Sequence, residues 1–160
     1  MHTYAANHAF GKRRLIAIYG GIGMTRKEAR EQAFIIVFEK EFNSEYSLDE
    51  IISAAKDADL FEVDSFAEAL SRKTLDNMDK LDEVISANLK GGWRIGRISK
   101  ISLAILRLAI CEMTHFSEIP VSVSINEAVE LSKTYASEQD SKFINGLLAT
   151  VGRGLKADAQ

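Results

Sequence analysis

The chain is expected to fold entirely into α-helices, and three features of the sequence predict it. Apolar residues recur at three- and four-residue spacing, helix-start signatures stand before the apolar stretches, and Pro120 is the only proline in 160 residues. A sandwich or barrel needs many turn residues, whereas turn punctuation here is glycine near the N-terminus and at Gly91 and Gly92. The length suits one domain, or two closely packed helical halves, with a real core.

Residues 1–23 carry Gly11, Gly20, Gly21 and Gly23 without a sustained apolar period, and are expected to form a flexible extension. Thr25-Arg26-Lys27-Glu28 is then a capping box: the threonine oxygen accepts a first-turn N–H while the glutamate reaches back. Ala29, Ala33, Phe34, Ile36, Val37 and Phe38 follow at helical spacing, predicting a helix over 25–42. Ser47 and Glu50 repeat the box before Ile51, Ile52, Ala55 and Ala58. A third helix is expected over 63–89, where Phe66, Leu70, Leu75, Met78, Leu81, Val84 and Ile85 form one apolar stripe and the two glycines end it.

Residues 98–113 are apolar on nearly every side, which marks the buried centre of a bundle. Pro120 breaks the chain after that helix, and Ser124 with Glu127 reads as a third capping box opening a helix through Ile125, Ala128, Val129, Leu131 and Tyr135. Ser137 or Asp140 caps the last helix, whose inward residues are Phe143, Ile144, Leu147, Leu148 and Val151; a polar tail occupies 156–160.

Composition excludes several function classes. No stretch approaches the roughly 18 apolar residues of a membrane span, and the short apolar run after Lys12, Arg13 and Arg14 is too brief for a signal peptide. A single cysteine, Cys111, permits no intramolecular disulfide and no thiolate zinc set, which suits a reducing cytoplasm. His2, His8 and His115 are scattered, so neither a catalytic base nor a metal is expected. Gly20, Gly21 and Gly23 precede a helix start but follow no strand and lack the Gly-Lys-Ser/Thr ending of a phosphate loop. Asp79, Asp82 and Glu83 read as a solvated helix face. No enzyme and no cofactor is expected.

Charge is the informative quantity. The net charge of −3 argues against nucleic acid, yet it is unevenly spread. Residues 39–68 hold ten acids against two lysines, whereas 90–107 hold five cations and no acid, so a local basic surface is compatible with an acidic protein. Arg26, Lys27 and Arg30 lie within about one helical turn, and Arg26 and Arg30 share a face. By spacing alone the plainer reading of that cluster is a solvated helix end partly neutralised by Glu28 and Glu31. Trp93, in Lys90-Gly91-Gly92-Trp93-Arg94, reads as a packing anchor rather than a stacking platform.

Four ordered segments carry more than periodicity. Thr25-Arg26-Lys27-Glu28-Ala29-Arg30-Glu31-Gln32-Ala33, Ile105-Leu106-Arg107-Leu108-Ala109-Ile110-Cys111-Glu112-Met113, the stretch 120–133 containing Ile125-Asn126-Glu127-Ala128, and Lys142-Phe143-Ile144-Asn145-Gly146 together resemble the NusB family of bacterial transcription antitermination factors. The likeness spans 24–151. It implies a seven-helix fold over 24–155 in two packed halves, 24–89 and 93–155. It also implies binding of single-stranded boxA RNA in ribosomal RNA leader transcripts, as a heterodimer with the small-subunit ribosomal protein NusE, which then joins other Nus factors and RNA polymerase.

By the same resemblance Arg26, Lys27, Arg30, Lys142 and Phe143 contact RNA, and Glu112 and Phe38 lie toward NusE. The alternatives are a protein adaptor with little RNA affinity of its own and an RNA-recognition module related to ribosomal RNA methyltransferases; no glycine-rich cofactor loop follows a strand here. Two departures stand out. Family members begin at the position of Met24, so 1–23 read as a private extension or a mis-set start. Asp140 stands where the family commonly has serine, keeping the cap but adding negative charge beside the expected RNA face.

Overall fold

Local structure begins at the capping boxes. In the computed structural model, which describes residues 24–57 and 63–160, Thr25 Oγ1 accepts the Glu28 N–H at 3.2 Å, and the Glu28 carboxylate accepts the Thr25 N–H at 2.7 Å. These hydrogen bonds hold the Glu28 carboxyl below its usual range, and helix α1 (Arg26–Phe42) follows. At its far end the Lys40 ammonium donates to the carbonyls of Ser44 and Tyr46, both at 2.6 Å, fixing the turn into α2 (Leu48–Asp57). Ser47 and Glu50 close the second box reciprocally. The expected extension, its glycines, His2, His8 and Ala58 lie outside the described residues.

The sequence predicts one helix over 63–89; the structure has two, α3 (Ser65–Asp76) and α4 (Met78–Ala87). Asn77 separates them. Its φ is −117° and its ψ 18°, its N–H bonds to Thr74 three residues back, and its side-chain amide donates to the Lys73 carbonyl at 2.8 Å. Asparagine competes for backbone partners in this way, which is why it interrupts an apolar stripe that periodicity alone carries through. Helix α4 ends at Ala87, ahead of the glycines. Gly91 and Gly92, with φ of 65° and 72°, form the turn beyond it, a conformation a β-carbon disfavours.

A short 3₁₀ turn (Ile95–Arg97) leads to α5 (Lys100–His115), capped by Ser99. Helix α6 (Val121–Tyr135) opens three residues before the expected Ser124. The Pro120 carbonyl already accepts the Val123 and Ser124 N–H groups, and a proline φ of −58° suits helix entry. Ser124 is therefore an interior residue with a buried hydroxyl, not a cap. Helix α7 (Glu138–Asp158) starts at Ser137, which forms a full capping box with Asp140. Among the described residues there are seven α-helices and no strand.

The chain groups into two compact units, one ending at Arg72 and one spanning Lys73–Gln160. In the first, α1 packs on α2, and the fully buried Gln32 accepts the Asp64 N–H at 2.8 Å. The Asp64 carboxylate in turn caps α3 through the Phe66 and Ala67 N–H groups. In the second, α4, α6 and α7 all pack on α5, the all-round apolar helix. Arg107 of α5 is buried and forms a bidentate pair with Asp82 of α4, at 2.7 and 2.8 Å. Asp82 is thus not part of a solvated carboxylate face, and Arg107 is withdrawn from the basic surface of 90–107.

Candidate nucleic-acid interface

In the first unit, the capping box sets where α1 begins, and therefore which way its first turn points. Arg26 and Arg30 emerge on one side, as their four-residue spacing requires. Both lie over the ring of Phe66, with the guanidinium carbons 4.0 and 5.6 Å from its centroid. The Gln32 and Asp64 hydrogen bonds at the start of α3 hold Phe66 in place. An aromatic platform of this kind holds a cation by about 0.5–1 kcal/mol at an exposed site while leaving the guanidinium edge to donate. Arg26 and Lys27 are exposed; Arg30 is 6% exposed. Among the described residues no carboxylate pairs with Arg26 or Lys27.

The second unit contains the other residues expected at RNA. Lys142 and Phe143 sit in the second turn of α7, Lys142 exposed and Phe143 half-buried. Lys142 pairs with Glu138 at 3.1 Å, but both side chains are about four-fifths exposed, so the pair is weak and screened. Trp93 stacks on Phe143 with ring centroids 6.3 Å apart and 29° between planes. It is 55% exposed. The expectation of a packing anchor is therefore half met: the ring packs on Phe143, and just over half of the residue stays in solvent. Asp140 is engaged in its cap, accepting the Ser137 hydroxyl at 2.7 Å.

Phe38 and Glu112, expected toward a protein partner, are both buried, at 5% and 2% exposure. Phe38 is the middle of a row on α1, 5.9 Å from Phe34 and 5.0 Å from Phe42, and Phe42, half exposed, is the member that reaches solvent. Sequence reasoning missed Phe66, Phe42 and the exposure of Trp93. Phe66 was legible only as one more apolar residue in a stripe; Phe42 closes a four-residue aromatic spacing from Phe34 through Phe38, a signal available in the sequence.

Among the described residues no group of three or more His, Cys, Asp or Glu side chains is placed to hold a metal ion. No helix among them is long and apolar enough to cross a membrane. Burial pushes the Cys111 thiol upward, away from the thiolate that reactivity needs.

Comparison with known proteins agrees with this architecture. The chain matches the family model of the NusB family over residues 27–153. It is 41% identical over 128 residues to a transcription antitermination protein NusB of Listeria monocytogenes serotype 4a, a match covering 80% of this chain and 96% of that one. The structure of T. maritima NusB superposes with a TM-score of 0.72 at 28% identity, over 82% of this chain and 93% of that one. A crystal structure of the antitermination factors NusB and NusE in complex with double-stranded RNA matches with a TM-score of 0.69 at 23% identity, over 81% and 96% of the two chains, and shares the fold. The helix order, the start of α1 and the extent of these matches lead to one conclusion: the chain belongs to the NusB family.

Proposed function

We propose that this chain is an RNA-binding transcription antitermination factor that takes single-stranded boxA segments of ribosomal RNA leader transcripts as a heterodimer with NusE, and reaches other Nus factors and RNA polymerase through that assembly. The observation that carries the reading is the cationic turn opening α1, where Arg26 and Lys27 face solvent without a carboxylate partner among the described residues and Phe66 supports the guanidinium groups. Family membership supports it, since curated relatives are named antitermination proteins rather than enzymes. The solved NusB and NusE complex with RNA supports NusE and RNA as the partner classes.

The residues divide the work by exposure. Arg26 and Lys27 contact phosphates directly. Arg30, largely buried, adds its charge to the same field from beneath and shares the Phe66 platform. Lys142 and Phe143 supply a second contact, a cation for a phosphate and a ring for a base. In the first unit Phe38 supports a NusE contact from beneath, with Phe42 as the contacting side chain beside it; in the second, Glu112 supports a NusE contact from beneath α5. NusE adds its own surface, which is how an acidic protein comes to hold a polyanion.

The test is titration of a single-stranded boxA oligoribonucleotide with the full chain, alone and with NusE. Binding by the chain alone that tightens with NusE is the expected result. Binding only when NusE is present identifies a protein adaptor, and preference for the same sequence as a duplex overturns the single-strand assignment.

A further inference from the structure

We propose that Trp93, with Phe143, forms a stacking cleft that takes one unpaired base of the bound RNA, so that Trp93 is a base-contacting residue of this chain. The inference rests on the RNA-binding reading and extends it to a side chain that the family resemblance leaves without a role. Among the described residues the indole is the most exposed of the large apolar side chains, at 55%, although it is anchored. One ring neighbour, Phe143, holds it at 6.3 Å in a near-parallel stack, and the Gly91 and Gly92 turn delivers it there. A tryptophan fixed in place with its surface left in water is a preformed platform, because the ordering cost of the ring is met before any ligand arrives.

The cleft beside it holds about 420 Å³, within the roughly 300–1,000 Å³ of sites for small molecules. Its walls combine Leu89 and the two rings with Lys90 and Lys142, and no carboxylate lines it. Asn88 and Thr150 line its edge, held in place by hydrogen bonds: the Asn88 amide donates to the Val84 carbonyl, and the Thr150 hydroxyl donates to the Gly146 carbonyl and accepts from Arg153. Gly146 on α7 lines the cleft without a side chain, and the space beside it is open, with nothing within 4 Å of where a β-carbon would stand. A largely apolar slot with Lys90 and Lys142 at its margin, the latter in a weak and exposed pair with Glu138, suits a planar group carrying negative charge, which describes a nucleotide of single-stranded RNA. An acidic protein segment without aromatic side chains fits it less well, since it offers the indole no aromatic face to stack on.

Trp93 is the only tryptophan of the chain, so its fluorescence reports on the cleft directly. The experiment titrates the full chain with unlabelled single-stranded boxA oligoribonucleotide while following indole emission, and in parallel follows anisotropy of the labelled oligonucleotide. The proposal expects quenching of Trp93 with the same midpoint as the anisotropy change. It expects Trp93→Ala to weaken binding roughly 5- to 150-fold, the range for loss of one base stack, with the salt slope unchanged and Trp93→Phe within a few-fold of wild type. Replacing single nucleotides by abasic ones should reveal one position whose loss hurts the wild type and not Trp93→Ala.

RNA binding with unquenched Trp93, or an unaffected Trp93→Ala, overturns the cleft and leaves the RNA-binding reading standing. Absence of any anisotropy change overturns both. Quenching by NusE in the absence of RNA assigns the cleft to the protein partner and overturns the proposal.

Discussion

Arg26 and Arg30 show how much of the site a residue pattern reveals: four-residue spacing placed both on one side of a helix, and both lie over Phe66. What supports them was not legible, because Phe66 meets α1 only through tertiary packing 36 to 40 residues along the chain, beyond the reach of any local pattern. The hydrogen bond from Asp64 N–H to Gln32 fixes that packing. Gln32→Leu leaves the donor unpaired and should cost about 1–3 kcal/mol in denaturant unfolding; an unchanged midpoint would show the bond to be dispensable. Glu39 was counted as one acid of an acidic stretch, yet it is 3% exposed, one carboxylate oxygen has no partner, and burial pushes its carboxyl up to about 7. The folded state therefore binds a proton that the unfolded chain, with a carboxyl near 4.5, has already released. Its contribution is fully present below about pH 4.5 and is lost as pH rises through about 7, by on the order of 3 kcal/mol at most. Glu39→Gln should flatten the fall in stability over that window and raise stability above it, measured by unfolding across pH; a parallel profile for the two proteins would contradict the assignment.

At the scale of elements, capping chemistry was readable and helix continuity was not. Thr25 and Ser47 cap as their sequence contexts predict, and Ser137, one of two candidates with Asp140, caps α7. Each hydroxyl is paired with an acid three residues later, whereas Ser124, in the same context before Glu127, is no cap. The break at Asn77 and the early start of α6 at Val121 were hidden because both depend on which backbone carbonyl an N–H group finds. Helix α7 offers a direct comparison between two glycines. A β-carbon on Gly152 meets Val121 Cγ1 at 3.1 Å and Ile125 Cδ1 at 3.5 Å, whereas one on Gly154 meets nothing. Gly154→Ala should stabilise by about 0.5–1 kcal/mol through helix propensity. Gly152→Leu should destabilise by about 1–3 kcal/mol by overpacking α6 against α7. Thermal melts that ranked the two the other way would refute the packing. The Arg107–Asp82 pair makes a further case: Asp82→Ala leaves a guanidinium that is 8% exposed without its bidentate partner, at a cost on the order of 3 kcal/mol, less any water that reaches it. A loss below about 0.5 kcal/mol would mean the pair behaves as an exposed one.

For the whole molecule, the decisive property is uneven charge on an acidic chain, and this was legible from the sequence. Ten acids against two lysines over 39–68, and no acid over 90–107, leave room for basic patches despite a net charge of −3. The structure refined that picture by removing Arg107 to a buried pair and by leaving Arg26, Lys27 and Lys142 exposed. It also set Phe38 and Glu112 below the surface, which composition has no means of showing. The claim on which the rest depends is that the cations opening α1 touch RNA phosphates. It is tested most directly by the salt dependence of boxA RNA binding, comparing the wild-type chain with the double variant Arg26→Ala, Lys27→Ala, each bound to NusE and checked for an unchanged melt. The account predicts weaker binding and a log-log slope shallower by about 1.4, roughly 0.7 for each lost single-strand phosphate contact. Equal slopes and equal affinities for the two proteins would contradict it.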